Sequence, residues 1–257
     1  MKTKIITIKG GLGNQLFQYA HGLKASLIDK QRVIFDTTFF ADNGKDTKRP
    51  FLLDKFNIDP TFTFAQMKTD SIEWFFKKAW QKLTGNHGNY HREKYFAEVK
   101  DEVLKQFTLK DPLSQNAQDV AKNIQTNSVS IHIRRGDYVA NSHHGLCDLE
   151  YYYKALHHIK TNISTPHFFI FSDDIEWAKD NLQIGDAMFV SNGDISEVEE
   201  LILMSMCSHN IIANSTFSWW AAYLNKNSHK IIIGPNQWTR KHTSDTLEIL
   251  PKTWIQL

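Results

Sequence analysis

Ser128-Val129-Ser130-Ile131-His132-Ile133-Arg134-Arg135-Gly136-Asp137-Tyr138 begins as an apolar, β-branched run and ends in charged residues around a glycine. The first part predicts a buried strand, and the second part predicts the loop that follows it. Guanidinium groups are planar, permanently charged and shaped to bind phosphate oxygens in pairs. Because ligands bind at the carboxyl edge of sheets in α/β folds, Arg134 and Arg135 predict a diphosphate site there. A surface Arg–Asp ion-pair cluster is the alternative interpretation.

Strand and helix patterns alternate on both sides of this stretch. After it, strands are predicted near 167–172, 187–191, 210–213 and 229–233, and helices near 149–163, 174–182, 195–207 and 217–225. Before it, the patterns predict strands near 3–8 and 32–36, and helices over 14–28, 72–83 and 95–107. Such alternation predicts the α/β class, with parallel sheets covered by helices and a ligand cleft between two units. The polar stretch from Ser114 to Asn127 predicts the boundary between domains 1–125 and 126–257.

Composition limits the function classes. The chain has 257 residues, a hydrophobic fraction of 41% and a formal net charge of +2, which argues against nucleic acid as a partner. No apolar run is long enough to span a bilayer. The first residues alternate like a strand and lack the apolar core of a signal peptide. Two cysteines, Cys147 and Cys207, form no disulfide framework, so a cytoplasmic location is expected.

The glycine-rich loop Gly10-Gly11-Leu12-Gly13 lies between a predicted strand and a predicted helix. It does not match the dinucleotide pattern G-x-G-x-x-G, because Leu16 occupies the place of the third glycine. It is predicted to bring the backbone at Gly11 and Gly13, and the side chain of Asn14, close to a ligand. The alternative is a plain strand–helix turn in which Asn14 caps the helix.

Two further polar segments follow predicted strands. Ser172-Asp173-Asp174 offers a carboxylate that can accept two hydrogen bonds from a guanine edge, can cap the next helix, or can hold a metal ion. Asn214-Ser215-Thr216-Phe217-Ser218 offers hydroxyls and amides at a helix start, which suit phosphate or simply cap the helix. Both segments and the arginine pair are predicted at the same edge of one sheet.

Together these motifs resemble the bacterial α-1,2-fucosyltransferases of glycosyltransferase family 11. The resemblance spans nearly the whole chain in the expected order. The resemblance rests on four segments, which are residues 10–20, 132–138, 171–174 and 214–220.

The resemblance implies a GT-B architecture of two Rossmann-like domains facing a central cleft. It implies inverting transfer of L-fucose from GDP-β-L-fucose to the 2-hydroxyl of a terminal β-galactose, without a metal or other cofactor, in surface-polysaccharide or O-antigen synthesis. A glycolipid acceptor would add peripheral contact with the inner membrane. A non-catalytic GDP-sugar or glycan-binding module with a degenerate transferase fold is the alternative.

The resemblance also implies roles for individual residues. Arg134 is expected to bind the β-phosphate, Arg135 and Asp137 to position it, and Asn14 to face the acceptor or the developing fucosyl cation. Nucleoside contacts are expected from His132 and Asp173, and phosphate contacts from Thr216, Phe217 and Ser218. The general base stays open among Asp137, His143, His144 and Glu150.

Overall fold

The computed structural model describes residues 2–41, 49–66, 90–139, 145–239 and 248–257. It divides into two compact units, Met1–Asp111 and Pro112–Leu257. The helix predicted over 72–83 lies outside the described residues. Within the described ranges, no helix combines the length and the apolar composition needed to cross a membrane.

The first unit contains a three-stranded parallel sheet. Its strands, in spatial order, are β1 (Thr3–Thr7), β2 (Arg32–Asp36) and β3 (Thr63–Ala65). Helix α1 (Leu12–Leu27) connects β1 to β2 and is buried along most of its length, because its apolar residues recur at helical spacing. The short helix α2 (Thr38–Ala41) follows β2. Strand β3 was not predicted, since it is only three residues long.

The last helix of this unit is shorter than predicted. Residues 93–99 form two 3-10 turns, Glu93–Tyr95 and Ala97–Val99, and α3 (Lys100–Gln106) begins only after them. Phe96 leaves the helical region, with φ −147° and ψ 6°. Its fully buried ring packs against the ring of Phe17, with 6.1 Å between centroids. Core packing therefore overrides the helical periodicity that predicted one helix over 95–107.

The second unit contains a six-stranded parallel sheet. Its strands in chain order are β4 (Ser128–Ile133), β5 (His167–Ser172), β6 (Ala187–Phe189), β7 (His209–Ile211), β8 (Ile232–Gly234) and β9 (Ile255–Gln256). Its helices are α4 (Gln115–Asn123), α5 (Gly136–Val139), α6 (Leu149–Asn162), α7 (Ile175–Asn181), α8 (Glu197–Met206) and α9 (Thr216–Leu224). The α/β class is confirmed, and each unit contains the parallel sheet that a GT-B architecture requires.

The strand order of the second sheet is β6-β5-β4-β7-β8-β9. The chain therefore builds outward from β4 on one side, then returns and builds outward from β7 on the other side. All six residues of β4 are buried, as expected for a central strand covered on both faces. This is the doubly wound order, in which the connections diverge between the two central strands and leave a crevice at their carboxyl ends.

The division between the units falls at Asp111/Pro112, and the predicted boundary at 125/126 places it too late. The polar stretch after Ser114 is not a linker, because it forms α4, which packs against α8. Ser114 caps α4 by accepting a hydrogen bond from the Ala117 amide, and its own amide donates to Glu199 at 2.6 Å. A helix that is mostly exposed to solvent has a largely polar sequence, so composition alone did not distinguish α4 from a linker.

We predict that Gly22→Ala destabilises the first unit by roughly 1–3 kcal/mol, because overpacking a tight core is costly. A Cβ at Gly22 in α1 would overlap the ring of Phe35 in β2 and lie 3.2 Å from Ile6 Cδ1. Helix propensity alone predicts the opposite, a gain of about 1 kcal/mol. Urea unfolding of Gly22→Ala measures the free energy, with Ser26→Ala on the same helix as control. A more stable Gly22→Ala protein would contradict the packing.

Candidate functional site

The candidate site lies at the carboxyl edge of the second sheet. Strand β4 ends at Ile133 between β5 and β7, so the loops that follow these three strands are neighbours. They carry the arginine pair, the aspartate pair and the start of α9. The divergence of the chain between β4 and β7 places this loop cluster at the position where doubly wound folds bind ligands.

Arg134 is held between two carboxylates. Its Nη1 lies 2.9 Å from Asp173 Oδ2, and its Nη2 lies 2.5 Å from Asp137 Oδ1. The guanidinium carbon also lies 5.2 Å from the ring centroid of Tyr138. The side chain of Arg134 is 20% exposed to solvent. Contacts on three sides fix the orientation of the guanidinium while leaving part of it open to a ligand.

Arg135 is fixed on the other side of the same aspartate. Its backbone amide donates to Asp173 Oδ1 at 2.8 Å, and its Nε donates to Asp174 Oδ2 at 3.1 Å. Its guanidinium carbon lies 3.8 Å from the ring centroid of Trp177, which is a cation–π contact. Both oxygens of Asp173 are thus bound to the arginine pair. The predicted nucleoside contact of Asp173 stays a prediction.

The charges of this cluster are nearly balanced. Two arginines face three aspartates, Asp137, Asp173 and Asp174. The ion-pair cluster considered as the alternative is therefore present. Within the described residues, the two ion pairs of Arg134 engage two of the five N–H donors of a guanidinium. An anion can bind the remaining donors without breaking the pairs.

Gly136 allows this arrangement, because a Cβ there would overlap the carboxylate of Asp173. Asp174 also has a second role as the cap of α7, where its Oδ1 accepts from the Trp177 amide at 3.3 Å. A helix cap was one of the three alternatives for this segment, and Asp174 provides it.

His132 is buried and neutral. It is 4% exposed, and its ring packs against Phe217 with 5.4 Å between centroids. Burial, together with a smaller contribution from the charge of Arg134, lowers the pKa of His132 to about 3. Its Nδ1 is buried without a hydrogen-bond partner in the part of the chain that the structure describes. At neutral pH His132 therefore contributes no charge toward a phosphate.

The start of α9 is capped by its own sequence. Ser215 is the cap residue, and its Oγ accepts from the Phe217 amide at 3.3 Å. Thr216 is the first helical residue, and the hydroxyl of the fully buried Ser218 donates to Ser215 O at 3.4 Å. The alternative of a simple helix cap describes this geometry, and Trp219 and Trp220 after it are fully buried. Phosphate contacts from Thr216, Phe217 and Ser218 stay predictions.

Asn214, for which the sequence predicted no role, connects three loops through its side chain. Its Nδ2 donates to Gly145 O at 2.7 Å and to Trp238 O at 2.9 Å. Its Oδ1 lies 3.6 Å from the thiol sulfur of Cys147. A buried amide with partners on both ends fixes the loops that follow β7, β8 and the arginine stretch. Its position in the motif was visible in the sequence, but its partners are distant along the chain.

Glu200 was also missed. It lies in the first turns of α8 and is half-buried. Burial, together with smaller contributions from the nearby carboxylates of Glu197 and Asp173, raises the pKa of Glu200 to about 7. In sequence, Glu200 is one of several acids in an amphipathic helix.

In the first unit, the glycine loop begins α1 earlier than predicted. Gly10 has φ +78°, a conformation that favours glycine, and Gly11 is the cap residue with extended backbone. The helix therefore starts at Leu12, so Gly13 and Asn14 lie inside its first turn. The interpretation of Asn14 as the cap is wrong, since the cap makes no side-chain hydrogen bond. The backbone amide of Asn14 donates to Gly11 O at 3.0 Å.

Two glutamines of α1 form hydrogen bonds with the backbone of this loop. Gln15 Nε2 donates to Gly10 O at 3.0 Å and to Pro50 O at 2.8 Å, and its Oε1 accepts from the Leu52 amide at 3.0 Å. Gln18 Oε1 accepts from the Lys9 amide at 2.9 Å. Both side chains are buried and satisfied, so the loop is rigidly positioned.

The described candidates for the general base, Asp137 and Glu150, have different surroundings in the structure. Asp137 is bound to Arg134, while Glu150 pairs with Lys154 at 2.6 Å on the exposed face of α6. His143 and His144 lie outside the described residues. The base stays open between these groups.

The chain is similar to proteins of known class. The sequence profile described as Glycosyl transferase family 11 matches residues 2–257. Alpha-1,2-colitosyltransferase of Escherichia coli is 32% identical over 296 residues, covering 100% of this chain and 99% of the relative. O-antigen biosynthesis glycosyltransferase WbnK of Escherichia coli is 32% identical over 301 residues, covering 97% and 99%. Galactoside 2-alpha-L-fucosyltransferase Sec1 of Mus musculus is 30% identical over 242 residues, covering 85% and 63%.

Glu200 makes the stability of the folded chain depend on pH. Its pKa is about 7 when folded and 4.5 ordinarily, so between these values the folded state holds a proton that the unfolded chain has released. The contribution of Glu200 is therefore largest below about pH 4.5 and is lost as the pH rises to about 7. We predict that Glu200→Gln becomes more stable relative to the unmodified chain across this window.

Urea unfolding at a series of pH values measures this difference. Glu176→Gln, at an exposed glutamate of α7, is the matched control and should give a constant difference from the unmodified chain. A constant difference for Glu200→Gln as well would show that its carboxyl titrates normally.

Proposed function

The chain belongs to glycosyltransferase family 11, and we propose that it transfers L-fucose from GDP-β-L-fucose to the 2-hydroxyl of a terminal β-galactose, with inversion. Two relatives named for 1,2-colitosyl transfer and O-antigen synthesis support an acceptor on a bacterial surface polysaccharide. A relative named as a galactoside 2-α-L-fucosyltransferase supports the fucosyl donor and the galactoside. Contact with a membrane-borne glycolipid acceptor stays a prediction.

Arg134 is the observation that carries this proposal. In the transfer, the acceptor oxygen forms a bond to C1 of fucose, the bond from C1 to the β-phosphate oxygen breaks, and negative charge collects on the departing GDP. A fixed guanidinium stabilises that charge at the position where it develops. Arg134 lies at the crevice of the doubly wound sheet, with its orientation set by Asp137 and Asp173.

Preorganisation is the main contribution of the surrounding residues. A free arginine samples many rotamers, and ordering it in the transition state would cost free energy. Here the ion pairs and the Tyr138 ring order the guanidinium before a ligand arrives. The same carboxylates weaken the net positive potential, so binding of a phosphate depends on the remaining guanidinium donors of Arg134. We propose that no metal ion takes part.

GDP-colitose is the second candidate donor, because the relative that matches the whole chain at 32% identity is a colitosyltransferase. L-colitose is L-fucose without the 3-hydroxyl. A site that hydrogen-bonds this hydroxyl rejects the deoxy sugar strongly, since its buried polar groups would lose their partner. A site that packs apolar groups there accepts both sugars.

We predict that Arg134→Ala lowers kcat by about 100- to 1000-fold, the usual effect of losing one donor to a developing oxyanion. Arg134→Lys should lose most of this activity too, because a single ammonium cannot reproduce the planar fork. GDP release from GDP-fucose with a β-galactoside measures the effect. The control is Arg32→Ala, at an exposed arginine where β2 begins. Near-normal turnover of Arg134→Ala would remove Arg134 from the mechanism.

The donor and the metal requirement are tested in one assay. GDP release is measured in EDTA against lactose, N-acetyllactosamine and Galβ1-3GalNAc, with GDP-colitose and GDP-mannose as competing donors. We expect turnover of GDP-fucose on at least one acceptor, and no competition from GDP-mannose. Preferred use of GDP-colitose would reassign the donor. Activity that requires added Mg²⁺ or Mn²⁺ would contradict the metal-free mechanism, and GDP binding without turnover would favour a binding module.

A further inference from the structure

Phenylalanine rings form a continuous row from the core of the first unit to its surface. Phe35 and Phe64 are register partners in β2 and β3, and their ring centroids are 5.0 Å apart. The ring of Phe51 lies 5.6 Å from that of Phe64 and 5.5 Å from that of Phe40. The ring of Phe39 lies 5.2 Å from that of Phe40 and ends the row. The three outer contacts are edge-to-face, which is a favourable geometry for aromatic pairs.

The outer end of this row is exposed to solvent. Phe35 is fully buried, whereas Phe39, Phe40 and Phe51 are only half-buried. Two of the four residues of α2 are phenylalanines, yet the helix contains no buried residue. Single apolar side chains on a surface are common, but contiguous apolar patches mark sites that bind ligands or partners. The three half-buried rings are called the aromatic platform below.

The aromatic platform lies at the carboxyl edge of the first sheet. Helix α2, which carries two of its rings, follows the carboxyl end of β2. Gln15 binds both neighbours of Phe51, because its side chain donates to Pro50 O and accepts from the Leu52 amide. The same side chain donates to Gly10 O, in the loop after β1. The platform therefore lies beside the glycine loop, at the edge where parallel sheets of α/β folds bind ligands.

Polar groups lie beside the platform. The side chain of Asn14 lies against the glycine loop, since a Cβ at Gly10 would be 2.8 Å from Asn14 Nδ2. Thr38 begins α2, and its amide and its hydroxyl donate to Asp36 Oδ1 at 3.0 and 2.5 Å. Sites for small molecules are lined mainly by apolar and aromatic groups, with a small number of polar groups that set the orientation. The first unit provides both kinds of group at one edge of its sheet.

The chemistry of a terminal β-galactose suits such a platform. Its axial 4-hydroxyl leaves the C–H groups at C3, C4 and C5 together on one face of the sugar ring. These weakly positive groups can stack on the negative face of an aromatic ring. The equatorial 2-hydroxyl projects from the edge of the sugar ring, so stacking leaves it free to react.

We propose that Phe39 stacks on the terminal galactose of the acceptor, with Phe40 and Phe51 supporting it from behind. This inference rests on the proposed function, which makes a β-galactoside the acceptor. Phe40 and Phe51 each lie between two other rings, so they fix the position of the platform. Among the described residues, Phe39 contacts one ring only, and its half-buried side chain is the part of the row that a sugar can reach.

Steady-state kinetics of the whole chain tests the proposal. Phe39→Leu removes the ring but stays apolar, Phe39→Trp keeps an aromatic face, and Tyr153→Leu removes an exposed ring of α6 as the control. We expect Phe39→Leu to raise the acceptor KM about 2- to 10-fold, as for one lost aromatic contact, and to leave the KM for GDP-fucose unchanged. Phe39→Trp should retain the acceptor KM, and Tyr153→Leu should change neither constant. Thermal unfolding verifies that the variants are folded.

Saturation-transfer NMR tests the contact without requiring turnover. Lactose, N-acetyllactosamine and Galβ1-3GalNAc are each added to the unmodified chain, Phe39→Leu and Tyr153→Leu in the presence of GDP. We expect H3, H4 and H5 of the galactose to receive more saturation than H2. This transfer should fall in Phe39→Leu and persist in Tyr153→Leu.

The two readouts separate this proposal from the proposed function. An acceptor KM unchanged by Phe39→Leu, or raised together with the KM for GDP-fucose, would overturn the platform and leave the fucosyl transfer intact. Saturation centred on H2, or unchanged by Phe39→Leu, would overturn the platform as well. Saturation of H3 to H5 that depends on Phe39, without turnover of any galactoside, would support the platform and overturn the transfer. Neither saturation nor turnover of any galactoside would overturn both.

Discussion

The carboxylate of Asp173 is the constraint on which the site depends. One oxygen holds the guanidinium of Arg134, and the other holds the backbone of Arg135, so a single side chain at the end of β5 orders the loop after β4. This requires Gly136, because any Cβ there would overlap the carboxylate. It also requires β4 and β5 to be neighbours in parallel register, as Ile133 and Ser172 are. The fold and the electrostatics therefore specify the same arginine geometry.

The sequence predicted the strands and helices of the second unit well, because its buried β-branched runs and amphipathic helices repeat cleanly. Ser196 and Glu199, which form the capping box of α8, have the three-residue spacing that this motif requires. The predictions failed where exposure or packing masks periodicity: α4 is polar enough to resemble a linker, and Phe96 interrupts a helix to enter the core. The start of α1 was misplaced because Gly11, and not Asn14, is the cap residue.

The site was predictable in its location but less so in its contacts. Residues at the ends of parallel strands had to meet at one edge, so the proximity of Arg134 and Asp173 followed from the pattern. The partners of Asn214 and Gln15 did not follow, because each depends on a segment distant along the chain. The raised pKa of Glu200 results from its burial beside other acids, which no local sequence pattern reveals.

The central claim is that the arginine held by Asp137 and Asp173 receives the diphosphate of the donor. A crystal structure of the chain with GDP tests it most directly. The account predicts β-phosphate oxygens at about 2.7–2.9 Å from the Arg134 guanidinium, with the ion pair to Asp173 retained. A diphosphate bound elsewhere, or an Arg134 that turns away from it to remain with the aspartates, would contradict the account.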